Sequence, residues 1–274
     1  MKQDVFGTPL DLFAPFDFSF ITRYGTPFSV QVGGSEARFG VNSPQHGQLL
    51  LRFAGAPLDS VQDPEEAAIA LAEAMPAYET LYPHPALLKL QGHGAVAGGY
   101  LAIFRWPAGE NLAAPGAVGR WQRQPLLSEL RMIDPVLDFH AYALAKGYQA
   151  VGFQESCLSA EGEAGRLTVT NIDRYRLAPA FNDRGRMPGS SRFLAPEEYV
   201  PGAPLDGLTM QYTMGALAFA LFADHGSRER GAWMAGEALY RVAARACAEA
   251  REARYPSYGE FLSAWRQAAG ETVG

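Results

Sequence analysis

The sequence has little that would mark a specialised class. It holds two cysteines, Cys157 and Cys247, in 274 residues, without the spacing of metal ligands, which removes a disulfide scaffold and a zinc module. No apolar run is long enough to span a bilayer. The N-terminus has no basic region followed by an apolar stretch, so the chain is expected in the cytoplasm with no membrane partner. No block of like charge occurs: arginines are scattered and the net charge is −6, which argues against a nucleic-acid partner. What remains is an ordinary composition, 48% apolar, able to bury a core as one two-lobed domain or two small ones.

Residues 1–16 interleave Phe, Pro and Asp and read as an N-terminal extension lying across the small β-rich part. From Pro27 to Phe53 the apolar residues predict strands at 28–32, 38–41 and 49–53, with turn chemistry over Asn42 to Gly47. A helix is expected over Pro64 to Tyr78, with Asp63 as N-cap and Pro64 at its first position. Leu126 to Lys146 has helical periodicity with an expected kink at Asp134-Pro135, and Gly147 ends it. Asp138 and His140 on this helix read as a satisfied helix-face pair, with a catalytic role as the lesser alternative. Arg166 to Thr170 reads as a strand; Leu208 to Phe222, Trp233 to Ala250 and Tyr258 to Ala268 read as helices.

Several stretches, in order, resemble the protein-kinase family, in its serine/threonine branch. Gly189-Ser190-Ser191-Arg192-Phe193-Leu194-Ala195-Pro196-Glu197 is similar to the end of an activation segment, with its A-P-E tripeptide. Arg254 before Pro256-Ser257 resembles the family's terminal R-P-S, and the resemblance implies that Arg254 pairs with Glu197. Gly33-Gly34 through Gly40-Val41 reads by itself as a hairpin turn with two glycines, and in its order relative to Arg52 and Ala195-Pro196-Glu197 looks like a stretched glycine-rich loop. Arg52 falls where the family has its phosphate-pairing Lys, or is an edge-strand Arg turned to solvent; Glu73 is the candidate helix carboxylate to face it. His84-Pro85 resembles the family's H-P-N turn. Tyr100 to Leu112 resembles the fifth strand and interlobe hinge, which implies Phe104, Trp106 and Glu110 as nucleotide neighbours. Pro107 falls at the adenine-donor position, and proline has no N–H to give.

The resemblance fails where phosphotransfer chemistry should sit. The run matching H-R-D-x-x-x-x-N is Ala150 to Cys157, so Gly152 replaces the catalytic Asp and Cys157 the metal-binding Asn. Glycine accepts no proton, and a thiol is a poor ligand for Mg²⁺. Glu155 is the nearby carboxylate that could substitute as base, or simply caps a turn. Asp173 of Asp173-Arg174-Tyr175 matches the metal-binding Asp of D-F-G, or forms a turn at a strand end. Met210 replaces an Asp that in the family supports the catalytic loop, while Gly215 is kept.

The expectation is therefore an α+β, protein-kinase-like two-lobed fold over residues 17–270, with a β-rich N-lobe over about 17–105 and a mainly helical C-lobe over about 106–270. The expected function is that of a pseudokinase, a regulatory or binding module with a protein partner and weak or absent binding of ATP and Mg²⁺. The alternative is an active serine/threonine kinase, or related phosphoryl or nucleotidyl transferase, that uses Asp173 for Mg²⁺ and Glu155 as base. A third reading is an unrelated α+β protein with coincidental motifs.

Overall fold

The computed structural model describes residues 1–162 and 165–273. The chain is mixed α+β, with a small antiparallel sheet in its N-terminal part and a helical C-terminal region. It divides into two compact units, Met1–Tyr82 with Leu88–Pro107, and Pro83–Leu87 with Ala108–Gly274. Among the described residues no helix is long and apolar enough to cross a membrane.

The first unit begins with a hairpin, β1 (Lys2–Val5) and β2 (Thr8–Asp11). The main sheet follows from β3 (Thr26–Gly33), β4 (Glu36–Ser43) and β5 (Gly47–Ala54). Then come helix α1 (Pro64–Leu81) and strands β6 (Leu90–Val96) and β7 (Gly99–Arg105), giving the antiparallel order β3-β4-β5-β7-β6. Asp63 caps α1, its carboxylate accepting the N–H of Glu65 at 2.8 Å and of Glu66 at 3.2 Å. Ala67, Leu71, Ala74, Met75, Tyr78 and Leu81 recur at helical spacing and form its buried face.

Strand alternation sorts the sheet into two faces. Phe39, Leu51 and Phe53 point to one, where Phe16, Phe18 and Phe20 pack at centroid distances of 5.4 Å (Phe16 to Phe53), 5.6 Å (Phe18 to Phe39) and 5.0 Å (Phe20 to Phe53). Residues 1–24 therefore cover that face, with Phe18 buried in the core, Phe16 and Phe20 half-buried against it, and Phe6 and Phe13 exposed. Arg38, Gly40, Arg52, Ala102 and Phe104 point to the other face, where Tyr78 of α1 meets Phe104.

The second unit contains β8 (Glu110–Asn111), the short helix α2 (Ala117–Trp121) and α3 (Leu126–Ala145). Beyond these lie β9 (Tyr148–Gln149), β10 (Leu158–Glu161), β11 (Arg166–Val169), β12 (Arg176–Leu177), β13 (Ala180–Phe181) and β14 (Pro204–Leu205), in small antiparallel ladders. Helices α4 (Gly207–Phe222), α5 (Glu237–Ala246) and α6 (Tyr258–Val273) complete it. Every residue of α4 from Thr209 to Phe222 is buried, so α4 is the unit's core. Asp206 caps it through the N–H of Leu208 at 2.9 Å. Gly215 lets α5 come close: a Cβ there would meet Ala246 Cβ and Cys247 Sγ at 2.9 Å each.

Two helix expectations need correction. Residues 233–250 do not form one helix, because Gly236 takes a φ of +85° and α5 begins only after it. Trp233 instead donates its indole N–H to the Gly236 carbonyl at 2.8 Å. Helix α6 runs on past Ala268 to Val273. Pro135 lies inside α3, which is continuous as a hydrogen-bonded element across it.

Candidate functional site

In the first unit the residues of interest gather on the sheet face that carries Arg52. The glycine stretch is a tight turn: Gly33 pairs with Glu36, and Gly34 takes a φ of +65° that suits glycine. Closing the turn this tightly places Glu36 at the first position of β4. Its side chain runs to Arg52, whose Nε donates to Glu36 Oε2 at 2.8 Å and whose Nη2 donates to Glu36 Oε1. Arg52 Nη1 donates to the Tyr78 hydroxyl at 3.2 Å, and the guanidinium lies 5.6 Å from the Phe104 ring centroid. Arg52 and Glu36 are both buried, at 2% and 7% exposure.

Arg52 is thus neither a solvent-facing edge residue nor the partner of Glu73. Glu73 is exposed on the outer side of α1, and the helix presents Tyr78 to Arg52 instead. The anion comes from the strand beside the glycine turn. A carboxylate there neutralises the cation and repels phosphate, the reverse of what a phosphate cradle needs.

The same face is roofed further along. Phe28 and Trp106 meet edge to face at 5.0 Å, and a Cβ on Gly40 would meet the Phe28 ring at 2.7 Å and Trp106 Cζ3 at 2.8 Å. Gly40 therefore makes room for two aromatic rings of the chain itself. Phe104 is fully buried beneath Tyr78. The N–H of Trp106 is taken by the Gln48 carbonyl at 3.0 Å, and Pro107 follows with none. Gly33 is overlain by Arg38, whose guanidinium would meet a Cβ there at 2.7 Å.

In the second unit, Gly152 is held by its surroundings as well as by its sequence. Its φ is +65°, and an added Cβ would meet the Pro188 carbonyl oxygen at 2.9 Å and Arg174 Cδ at 3.3 Å. Gly189 sits against it, since a Cβ on Gly189 would come within 3.2 Å of Gly152 Cα. Around this close approach the two segments are stitched together. Ser190 N–H donates to Gln154 Oε1 at 2.9 Å, and Arg192 Nη1 donates to Glu155 Oε1 at 3.4 Å. Glu155 Oε2 is buried with no hydrogen-bond partner among the described residues. Glu155 thus ties residues 154–156 to the segment ending in Ala195-Pro196-Glu197, and one of its oxygens is already held by a cation.

Cys157 is buried, and burial pushes its thiol up to about 11, so it stays protonated and is no ligand for a hard cation. Asp173 accepts from Asn171 Nδ2 at 2.9 Å, and its own N–H donates to Asn171 Oδ1 at 3.2 Å. Among the described residues no group of three His, Cys, Asp or Glu side chains is placed to hold a metal. Two residues on, the Tyr175 hydroxyl meets His140 Nε2 at 2.7 Å. His140 is fully buried; burial lowers its pKa to about 4, so the ring is neutral. Its Nδ1–H then donates to the Val136 carbonyl at 2.7 Å, and Nε2 accepts from Tyr175. His140 and Asp138 are not partners. Asp138 instead bonds to Arg266 at 2.7 Å and His84 at 3.3 Å. Glu110 is held by Arg120 at the surface, at 2.8 Å.

Glu197 and Arg254 do meet. Arg254 Nη1 and Nη2 reach the two carboxylate oxygens at 2.7 and 3.0 Å, and Arg251 adds a third contact at 2.5 Å. Three relationships escaped the sequence: Glu36 with Arg52, Gln154 with Ser190, and Tyr175 with His140. In each, one partner (Glu36, Gln154, His140) lies outside the motif that carries the other, and only the tightness of the Gly33-Gly34 turn could have pointed to Glu36.

The chain matches no protein-family model. No characterised protein aligns with it significantly.

Proposed function

We propose that this chain is a pseudokinase: a protein-kinase-like two-lobed scaffold that acts as a cytoplasmic regulatory or binding module for a protein partner, with weak or absent ATP binding. The observation that carries this reading is the buried pair of Arg52 and Glu36. An internal carboxylate takes two donors of the cation that the kinase resemblance assigns to phosphate, so the chain supplies its own anion at that position. The kinase-like scaffold itself is supported by the buried Glu197–Arg254 pair, which the activation-segment and R-P-S resemblances imply together. Gly152 in a left-handed conformation, the raised Cys157 thiol and the aromatic rings over Gly40 all point away from phosphotransfer.

Calorimetric titration with ATP, with and without Mg²⁺, on the wild type and on Asp173→Ala tests the reading. The expected result is no saturable heat at millimolar ATP for either protein. Metal-dependent binding that Asp173→Ala removes would favour the active-transferase alternative, with Asp173 as metal ligand, and would overturn the proposal.

A further inference from the structure

Among the described residues, six large apolar side chains of the second unit are exposed: Leu127, Leu177, Phe181, Tyr199, Val200 and Met234. Four of the six lie between residues 177 and 200. Strand pairing and hydrogen bonds join the segments that carry them into one loop cluster. Phe181 pairs with Pro204 across the β13–β14 ladder, and Asn182 N–H donates to the Ala203 carbonyl at 2.9 Å. Ala203 N–H in turn donates to the Val200 carbonyl at 3.1 Å. Arg176, the neighbour of Leu177, donates to the Phe181 carbonyl at 3.3 Å. Single exposed apolar residues need no explanation, whereas a cluster on ordered loops marks a contact surface.

The charge around the cluster is opposite to that of the chain. Beside it Arg176, Arg184 and Arg186 stand with one aspartate, a local excess of +2 in a protein whose net charge is −6, while Arg192 further on is paired with Glu155. That aspartate, Asp183, is shared by Arg176 at 3.2 Å and Arg184 at 3.3 Å. The Arg186 guanidinium meets the backbone carbonyls of Met187 at 3.4 Å and Gly189 at 2.9 Å. Positive charge therefore exceeds its local counter-charge beside exposed Leu177, Phe181 and Val200. A nucleic acid would use the arginines and leave the apolar side chains wet; an acidic peptide with apolar anchors uses both.

We propose that this cluster docks an acidic segment of a protein partner, with one or two apolar side chains seated between Phe181 and Val200 and flanking Asp or Glu residues facing Arg176, Arg184 and Arg186. The inference stands on the surface of the second unit alone. It survives or fails independently of ATP binding.

The test is selection of random peptides displayed on phage against the full chain, followed by fluorescence anisotropy on the enriched peptides at low and high salt. Enriched peptides should share an apolar residue flanked by Asp or Glu. Phe181→Ser and Val200→Ser should each weaken them about tenfold or more, as truncation of an anchoring contact does. Arg184→Glu should weaken them and flatten the salt dependence. Met234→Ser, exposed elsewhere on the unit, should leave binding unchanged, and thermal melts of all variants should coincide with wild type. Failure to enrich any peptide, enrichment without acidic residues, or binding indifferent to Phe181→Ser and Val200→Ser would overturn the proposal. Sedimentation showing self-association that the same substitutions abolish would assign the cluster to a second copy of the chain, and would overturn it as well.

Discussion

Arg254 and Glu197 form a two-pronged pair inside the second unit, with the Arg254 side chain wholly buried and Glu197 at 5% exposure. Burial pushes the Glu197 carboxyl up, yet hydrogen bonds from Arg254 and Thr209 outweigh that and hold it below the usual glutamate value. The pair ties the Ala195-Pro196-Glu197 turn to the residues before α6, so its loss should loosen both. Glu197→Ala leaves the buried Arg254 guanidinium facing no anion, while Arg251 keeps Asp206 at 2.7 Å, and should cost about 3–5 kcal/mol in urea unfolding. Arg254→Lys should also destabilise, because an ammonium cannot serve both carboxylate oxygens. Since the folded pKa is depressed, the pair's contribution is present above the unfolded glutamate pKa and disappears as pH falls through the folded one.

Glu198, one residue on, behaves in the opposite way. It is 2% exposed, and burial raises its pKa to about 7 although its Oε2 accepts the Ala195 N–H at 2.8 Å. The folded chain therefore holds a proton that the unfolded chain releases from about pH 4.5 upward. Stability should fall as pH rises from there through about 7, by roughly 2–3 kcal/mol. Glu198→Gln keeps an acceptor for Ala195 but has nothing to titrate, so its unfolding free energy should vary less across that window. An identical pH profile for wild type and variant would show that Glu198 is not the group responsible. Buried Glu129, also raised to about 7 by burial, adds to the wild-type slope and leaves the difference between the two proteins intact.

At Gly152 the structure changes what a restoration experiment can mean. Putting Asp there to recreate a proton acceptor places a Cβ in a left-handed backbone, 2.9 Å from the Pro188 oxygen. Gly152→Ala isolates the backbone effect and should cost about 1–2 kcal/mol. Gly152→Asp should lose at least as much and gain no phosphotransfer. A Gly152→Ala variant as stable as wild type would mean that the contact between residues 152 and 189 yields easily.

These effects also show how far the sequence was legible. Elements whose ends are written in local chemistry could be read, such as α1 with Asp63 and Pro64, or the strands from Thr26 to Ala54. Motifs with paired parts could be read as well: an A-P-E turn and an R-P-S stretch together imply the Glu197–Arg254 contact. The chemistry around Arg52 was not legible. Its partner was sought on a helix, at Glu73, whereas hairpin register brings Glu36 to it across the sheet, and nothing in local spacing reports register. The left-handed conformation of Gly152 was equally hidden, because a glycine in a sequence records only that such a conformation is allowed. Residues 1–16 were read as lying across the small β-rich part, but which N-terminal rings touch the sheet is a tertiary fact without a local signature.

Glu36 offers the sharpest test of why the Arg52 site is quiet. If the carboxylate is what withholds Arg52 from phosphate, Glu36→Gln should lower stability, since the buried Arg52 cation loses a carboxylate that compensates it. The same substitution should raise affinity for ATP or pyrophosphate, because one anion is removed from the guanidinium and one source of repulsion from the glycine turn. A recovered hydrogen bond between a charged donor and phosphate is worth about 1.5–3 kcal/mol, or roughly ten- to a hundredfold in affinity. Calorimetry on wild type, Glu36→Gln and the double variant Glu36→Gln/Arg52→Met measures this directly. The gain should appear in the single variant and vanish in the double. If Glu36→Gln is destabilised yet binds neither ligand better, the pair is a structural brace, and the aromatic rings over Gly40 become the cause of exclusion, which Trp106→Ala would then have to relieve.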